Sequence, residues 1–108
     1  MPKKYRVDIT AAAEADTAAI WDYIAQDNPD AATAFILRLE EQIGTLEHYP
    51  ERCPLVPEND LLGTAYRHLL FGNYRTIFKI IGARVNILRI IHGARLLDTG
   101  ILEGVAVP

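Results

Sequence analysis

Three apolar runs in the second half of the chain are separated by two glycine-led dipeptides, and this arrangement restricts the fold more than any other feature. The runs extend from Tyr66 to Phe71, from Asn73 to Ile81 and from Arg84 to His92, and they are rich in the β-branched and aromatic residues that favour strands. The dipeptides Gly72-Asn73 and Gly82-Ala83 each suit a two-residue type II′ turn with glycine first. The sequence therefore predicts three consecutive antiparallel strands.

The first half of the chain predicts one strand followed by two helices. Tyr5 to Ile9 alternates between apolar and polar residues, as a short strand does. Thr10 can cap a helix from Ala11 to about Ala25, and Asn28 with Pro29 can start a second helix that runs to about His48. The second helix has one apolar stripe, formed by Phe35, Ile36, Leu39, Ile43 and Leu46.

These elements predict an α+β domain of order β-α-α-β-β-β, in which a helical hairpin packs on a small, mainly antiparallel sheet. The domain is expected to occupy residues 1–108, with a frayed tail from about 99 to 108. The three prolines between Tyr49 and Gly63 predict a surface loop. We expect Trp21, Phe35 and Phe78 in the core.

The turn at Gly82-Ala83 predicts the register of the last two strands. A two-residue turn pairs Ile81 with Arg84 and, further along, Arg75 with Ile90. One face of the sheet is then apolar, while the other collects Arg75, Lys79, Arg84, Asn86 and His92, joined by His68. A slip of one residue would exchange the faces. Arg89 falls on the apolar face in this register, which indicates either an edge position or a different register.

Charge is distributed unevenly along the chain. Residues 61–97 contain six Lys and Arg and no Asp or Glu, whereas residues 1–60 contain 12 Asp and Glu against five Lys and Arg. A basic sheet suits an anionic partner such as a phosphate backbone or an acidic protein segment. The alternative is that these strands lack acids only because Asp and Glu are poor strand residues.

Several classes of site and location are disfavoured by composition. Cys53 is the only cysteine, so an internal disulfide is impossible, and a four-ligand zinc site is not expected from one Cys and three scattered His. No apolar segment resembles a secretion signal or is long enough to span a membrane. We therefore expect a cytoplasmic protein with no metal, organic cofactor, small-molecule ligand or membrane contact.

Two motifs in the last strands carry a resemblance to a known family. They are the hairpin Gly72-Asn73-Tyr74-Arg75 and the strand end His92-Gly93-Ala94-Arg95. An Ala-rich first helix and the pair Tyr49-Pro50 after the second helix accompany them. In this order, from about Tyr5 to Asp98, the segments resemble the RelE/ParE toxin superfamily of type II toxin–antitoxin modules.

The resemblance implies two chemistries. RelE-like members are ribosome-dependent mRNA endonucleases, and ParE-like members poison DNA gyrase. Arg75 and Arg95 match the two arginines of the RNA-cleaving set, but Tyr66 and His68 stand at its lysine positions and Ile101 at its tyrosine position. If the chain cleaves RNA, its catalytic residues are expected to be Arg75, Arg95, His92 and His68, with a histidine moving protons.

The incomplete catalytic set and the net charge of −3 favour the ParE-like branch, in which the chain is a toxin of a plasmid-stabilisation type that acts through DNA gyrase. The resemblance also implies a cognate antitoxin. The predicted partner-binding residues are Arg67, Arg75, Lys79, Arg84 and Arg95. One alternative is a RelE-like enzyme acting on ribosome and mRNA, and another is a non-toxic member that only binds the antitoxin. A structural role also remains open for Arg75 and for Arg95, the latter as an anchor to Asp98.

Overall fold

The computed structural model describes residues 3–102 and contains four strands, four α-helices and two short 3₁₀ turns within that range. The strands are β1 (Arg6–Ile9), β2 (Arg67–Phe71), β3 (Tyr74–Ile81) and β4 (Arg84–His92). The helices are α1 (Ala11–Ala25), α2 (Pro29–Gly44), α3 (Asn59–Leu62) and α4 (Thr99–Leu102), and the 3₁₀ turns are Thr45–Glu47 and Pro50–Arg52. The predicted α+β class is confirmed.

The helix starts are determined by local capping. The Thr10 hydroxyl accepts a hydrogen bond from the Ala13 N–H at 3.2 Å, and the Asn28 side chain accepts one from the Ala31 N–H at 3.1 Å. The prediction that α2 reaches His48 is wrong by one turn. The N–H of Thr45 is shared among the carbonyls of the preceding turn, so the helix tightens into a 3₁₀ turn after Gly44. None of the helices within residues 3–102 is long and apolar enough to cross a bilayer.

The four strands form one sheet of order β1-β4-β3-β2, with β1 parallel to β4 and the other pairs antiparallel. Gly72 and Gly82 both have φ of +58°, and each begins the two-residue turn predicted from its dipeptide. The helical hairpin covers one face of this sheet. Its core cluster includes Ile20, Leu39, Ile43, Leu46, Phe78, Val85, Ile87 and Ile90.

A β-bulge in β4 alters the predicted register. The pairs Ile81–Arg84 and Lys79–Asn86 occur as predicted, but Phe78 pairs with Ile87 whereas Ile77 pairs with Arg89, so Leu88 has no partner. Arg75 consequently lies opposite Ile91 and not Ile90. The bulge exchanges the faces of the four residues that follow it. Arg89 and Ile91 therefore lie on the face away from the helical hairpin, while Ile90 and His92 lie on the hairpin side.

A second apolar cluster covers the sheet face opposite the helical hairpin. It comprises Val56, Ile77, Leu88, Ile91, Leu97 and Ile101. The segment from Tyr49 to Gly63 is therefore not only a surface loop, because Cys53, Val56 and Glu58 in it are buried. Residues 99–102 form α4 and not a frayed tail, because Ile101 is buried in this cluster; residues 103–108 of the predicted tail lie outside the described range.

The tryptophan of α1 lies outside the core, contrary to prediction. Trp21 keeps 37% of its surface exposed, and its indole N–H donates to the Thr33 hydroxyl of α2 at 3.1 Å. Ile20 occupies the buried position of this turn instead, and a neighbour one residue further is rotated by about 100° around the helix. Phe78 is fully buried and Phe35 is half-buried against the same cluster.

Candidate functional site

A cleft of about 470 Å³ opens beside β2 on the sheet face that the helical hairpin does not cover. Three of the four residues predicted for RNA cleavage line this cleft, namely His68, Arg75 and Arg95. Its rim includes Leu61 of α3, Leu70 of β2 and Leu96. The cleft is therefore the candidate functional site of the described chain.

The floor of the cleft is a buried ion pair between Arg75 and Glu58. Both residues are 4% exposed. One terminal nitrogen of the guanidinium, Nη1, donates to Glu58 Oε1 at 3.1 Å, and the other, Nη2, forms the ion pair with Glu58 Oε2. Arg75 Nη2 also donates to the carbonyl oxygen of Arg95 at 2.8 Å. Both terminal nitrogens of Arg75 are therefore already engaged inside the protein.

Glu58 reaches Arg75 because the loop before β2 is anchored to the start of that strand. The N–H of Val56 donates to the carbonyl of Tyr66 at 2.9 Å, and the Asn59 amide nitrogen donates to the same carbonyl at 2.9 Å. The Asn59 side-chain oxygen accepts from the Tyr66 N–H at 3.0 Å and from the Thr64 hydroxyl at 2.7 Å. Asn59 thus fixes the entry to β2, and Glu58, the preceding residue, is directed into the sheet face.

The hydrogen bonds to Glu58 keep its carboxylate charged. The side-chain hydrogen bond from Arg75 is the main cause that lowers the Glu58 pKa to about 2, while burial opposes this effect. The Leu97 N–H also donates to Glu58 Oε2, at 2.8 Å. Glu58 and Arg75 therefore join three segments: the loop before β2, the start of β3 and the chain after β4.

His68 lies beside this pair and has the properties of a neutral imidazole. Its Nδ1 is 3.3 Å from Arg75 Nη1, and since an arginine can only donate, Nδ1 is the acceptor and Nε2 carries the proton. Burial, and secondly the positive charge of Arg75, lower the His68 pKa below its ordinary value. The nitrogen of His68 that could accept a substrate proton is therefore occupied by Arg75.

The bulge places His92 apart from His68 and Arg75, although His92 and Arg95 both line a second, smaller cleft of about 210 Å³. His92 shares the hairpin side of the sheet with Tyr74, and their rings pack edge to face with centroids 5.7 Å apart. Its Nδ1 accepts a hydrogen bond from the Ala94 N–H at 3.1 Å. A catalytic set that combines His92 with Arg75 is therefore not assembled in this structure.

The predicted partner-binding residues are dispersed over the molecule. Arg67 lies on the hairpin side, where its guanidinium donates to the carbonyls of Glu51 and Cys53 at 3.1 and 2.6 Å. Lys79 and Arg84 share the opposite face near the Gly82 turn, and the Arg84 side chain is 61% exposed. These residues do not form one continuous basic face with Arg75, which is buried.

Arg95 is the exposed cation of the cleft. Among the ion pairs of residues 3–102, none includes Arg95. The alternative in which Asp98 anchors Arg95 is wrong, because Asp98 Oδ1 instead accepts from the Ile101 N–H at 2.9 Å. No group of three or more His, Cys, Asp or Glu in the described part of the chain is arranged to hold a metal ion.

Two acidic residues with important partners were not identified from the sequence. Glu58 lies in a proline-rich loop, 17 residues from Arg75, and no local pattern links the two. Asp16 forms an ion pair with Arg89 of β4 at 2.7 Å and also accepts from the Ile90 N–H at 2.8 Å. The charge of Arg89 on an otherwise apolar strand was the only signal in the sequence for the partly buried Asp16 carboxylate.

Comparison with known proteins identifies the family to which this arrangement of sheet, helical hairpin and cleft belongs. The family described as the ParE toxin of the type II toxin–antitoxin system, parDE, matches residues 7–97. The chain belongs to this ParE toxin family. The predicted membership of the RelE/ParE toxin superfamily is confirmed, and the chain is a toxin of the type II toxin–antitoxin class.

Individual relatives and structural neighbours carry both RelE-type and ParDE-type names. The chain is 37% identical over 82 residues to Toxin RelE2 of Caulobacter vibrioides, an alignment that covers 76% of this chain and 88% of that protein. A chain of the chromosomal ParDE system of P. aeruginosa shares the fold with a TM-score of 0.66 at 24% identity, over 82% of this chain and 96% of that one. A chain of the RelBE2 toxin–antitoxin complex of Mycobacterium tuberculosis has a TM-score of 0.55 at 26% identity, over 86% and 95%.

Proposed function

We propose that this ParE-family toxin inhibits growth through DNA gyrase and is neutralised by a cognate antitoxin. The family match over residues 7–97 supports the ParE-like branch. The antitoxin is supported by the two structural neighbours, which come from a ParDE system and a RelBE2 toxin–antitoxin complex. We expect the antitoxin to be encoded by a short acidic reading frame next to the toxin gene.

The state of Arg75 is the observation that carries the choice against RNA cleavage. A phosphate-stabilising arginine needs free N–H donors directed at the developing charge. Both terminal nitrogens of Arg75 are engaged by Glu58 and by the Arg95 carbonyl, and the side chain is 4% exposed. Binding a phosphate there would require breaking a buried ion pair first, and this cost argues for a target other than RNA.

A second candidate function is ribosome-dependent mRNA cleavage. The observation that favours it is the 37% identity to the protein named Toxin RelE2. In this reading Arg95 would stabilise the phosphate, because it lines the cleft and its side chain is exposed. A non-toxic, antitoxin-binding member is the third candidate.

The test combines growth, gyrase and RNA measurements on the same protein. The toxin is induced without its antitoxin, and its accumulation is checked by immunoblot. Purified toxin is then added to a gyrase supercoiling reaction and, separately, to a ribosome-based translation reaction in which mRNA ends are mapped by primer extension. We expect growth arrest, loss of supercoiling and intact mRNA.

Two variants make the result specific. Arg75→Ala is unsuitable because it also removes a buried ion pair. Arg95→Ala is therefore compared with Arg84→Ala, because Arg84 is remote from the cleft and its side chain is 61% exposed. If the chain cleaves mRNA, Arg95→Ala should reduce the cleavage rate by about 100-fold and Arg84→Ala should not. Codon-positioned cleavage with normal supercoiling would overturn the gyrase proposal, and normal growth with accumulated toxin would favour the non-toxic member.

A further inference from the structure

We propose that the outer face of α2, together with the turn at Tyr49, binds a basic surface of DNA gyrase. The outer face comprises Asp30, Leu37 and Glu41, which are exposed on the side of the helix away from its buried residues. The inference rests on the proposed function in taking gyrase as the target, and it adds the part of the toxin that would contact it. A strained tyrosine, exposed apolar side chains and unpaired acids each support this surface.

Tyr49 is held in a backbone conformation that a bulky side chain disfavours. Its φ is +49° and its ψ is +54°, and within residues 3–102 no other residue apart from glycine has a positive φ. Arg52 fixes the turn, because its Nη1 donates to the carbonyls of His48 and Tyr49 at 2.7 and 3.1 Å and its Nη2 donates to the Thr45 hydroxyl at 2.8 Å. Strain that the surrounding contacts enforce in this way is often found at functional sites.

Packing of the Tyr49 ring inside the protein does not explain this strain. Tyr49 is 64% exposed, whereas the next residue, Pro50, is fully buried and anchors the turn. A glycine would adopt the same left-handed conformation without strain. The tyrosine side chain therefore suits a contact outside the chain better than a role in the fold, and tyrosine is enriched among the residues that dominate the affinity of protein interfaces.

Tyr49 adjoins the outer face of α2. It lines a shallow cavity of about 540 Å³ together with Glu41, which lies in the last turn of the helix. Leu37 precedes Glu41 by four residues and Asp30 precedes it by eleven, so the three side chains point to one side of the helix. The turn and the outer face therefore form one continuous surface.

Exposed apolar side chains lie near the middle of this surface. Leu37 is 61% exposed, and Trp21 of α1, which is 37% exposed, borders it. The indole of Trp21 donates to Thr33, and Thr33 lies one turn before Leu37 on α2. Apolar and aromatic side chains surrounded by polar ones are typical of the centre of a protein interface.

The acids around these apolar side chains are unpaired and suit a basic partner. None of the ion pairs of residues 3–102 includes the exposed acids of the helical hairpin beyond its first turn, which are Asp22, Asp27, Asp30, Glu40 and Glu41. Asp22 and Glu41 lie in the last turns of α1 and α2, where the helix dipole favours cations. A cationic surface on the partner would therefore be favourable at these positions.

An enzyme that acts on DNA presents a surface of this kind. Binding to the phosphate backbone requires Lys and Arg side chains, so such an enzyme is strongly basic around the path of its DNA. The outer face of α2 is complementary to a basic surface, whereas the cleft beside β2 is not, because its exposed charged side chain is Arg95. We therefore expect gyrase to contact the helical hairpin and not the cleft.

The first test combines inhibition with stability. Tyr49→Gly should raise the toxin concentration for half-inhibition of gyrase supercoiling about tenfold, because it removes an interface tyrosine. The same change should raise the melting temperature by about 2–5 °C, because it relieves the strain. A purely structural role for Tyr49 would instead lower the melting temperature. The matched control is Tyr23→Ala, because Tyr23 is 69% exposed on α1 and lines a different cleft, and half-inhibition should change less than about threefold.

Two further variants test the apolar centre and the charge by direct titration of labelled toxin with purified gyrase. Leu37→Asn should raise the dissociation constant about threefold to tenfold. Glu41→Lys should raise it about tenfold and make binding less sensitive to salt. Asp60→Lys is the matched control, because Asp60 is an exposed acid of α3, and the constant should change less than about threefold. Circular dichroism verifies that each variant folds, and if Tyr49→Gly does not fold, Leu37→Asn and Glu41→Lys still decide the question.

Hydrogen exchange identifies the bound surface directly. Gyrase binding should slow exchange in residues 30–49 and leave residues 67–71 unchanged. Protection confined to residues 67–71 would overturn the proposal. If exchange in residues 30–49 slows with the antitoxin, or in concentrated toxin alone, but not with gyrase, this surface has another occupant and the proposal is also overturned.

Failure of this proposal is distinguishable from failure of the gyrase assignment. If the wild type inhibits supercoiling and the three variants of the surface inhibit equally well, the surface is wrong while the gyrase assignment stands. If the wild type neither inhibits nor binds gyrase, the gyrase assignment is wrong, and the docking of gyrase on this surface is overturned with it.

Discussion

The buried pair of Glu58 and Arg75 provides the sharpest test of how this fold is stabilised. Replacing Glu58 by glutamine keeps the shape of the side chain but leaves the Arg75 charge buried without its counter-ion. Removal of one partner from a buried ion pair costs about 3–5 kcal/mol. We therefore expect Glu58→Gln to lower the free energy of unfolding at pH 7 by about 3 kcal/mol.

The pKa of Glu58 gives a similar magnitude and predicts its pH dependence. The folded state lowers this pKa from 4.5 to about 2. Because each unit is worth about 1.4 kcal/mol, the charged carboxylate contributes about 3 kcal/mol to stability at pH 7. A depressed pKa means that the contribution is complete above pH 4.5 and is lost as the pH falls towards 2. The stability difference between wild type and Glu58→Gln should narrow over that range.

The assay is urea unfolding followed by circular dichroism at a series of pH values from 7 to 2.5. Comparison of the two proteins at each pH cancels the contribution of the other titrating groups. The matched control is Glu40→Gln, because Glu40 is exposed on α2 and its replacement should change the free energy of unfolding by less than about 0.5 kcal/mol. A loss at pH 7 no larger than that of the control, or a difference that stays constant down to pH 2.5, would show that the charged Glu58 carboxylate does not stabilise the fold.

Other positions give independent predictions for the same unfolding assay. Arg89→Ala should cost about 2–3 kcal/mol, because it leaves the partly buried Asp16 carboxylate of α1 without its partner, whereas Arg38→Ala, at an exposed position of α2, should cost less than about 0.5 kcal/mol. Gly82→Ala should cost about 1–2 kcal/mol from its positive φ alone. Gly72→Ala should cost more, because its new Cβ would also lie 3.1 Å from a ring carbon of Phe35. Equal costs for the two glycine variants would contradict this assignment.

The elements of the fold were predictable because their signals are local. Thr10 and Asn28 cap the helices that follow them, and Gly72 and Gly82 begin the turns between strands, each within two or three residues of the structure it determines. The register near the Gly82 turn was likewise correct, since a two-residue turn fixes the pairs beside it.

The position of the bulge at Leu88 was not predictable, and it changed the site. Arg89 on the predicted apolar face was its only sign, and no glycine marks it, because it is stabilised by tertiary packing: Leu88 is fully buried in the second apolar cluster. The face of His92 was consequently assigned wrongly, whereas the different register that Arg89 indicated is the one observed. The prediction that His68 and Arg75 share a face was correct, since the pairing of β2 with β3 does not involve the bulged strand.

The partner of Arg75 was missed for a different reason. An arginine on a strand of a basic segment suggests a surface that binds the anionic group of a partner. A single sequence does not reveal that the counter-ion is instead Glu58, in a loop 17 residues earlier. The proline-rich composition of that loop indicated exposure. Asn59 and the backbone of Val56 instead hold it against β2, which buries Glu58.

The Glu58–Arg75 pair also limits the evolutionary routes open to this chain. An arginine at this position could be recruited for phosphate chemistry only after its acidic partner is lost, and that single substitution would first destabilise the protein. A lineage that lost Glu58 would therefore pass through a form less stable by about 3 kcal/mol, unless a compensating stabilising change came first. In a superfamily whose branches have different cellular targets, the buried Glu58 would therefore oppose the evolution of one activity from the other.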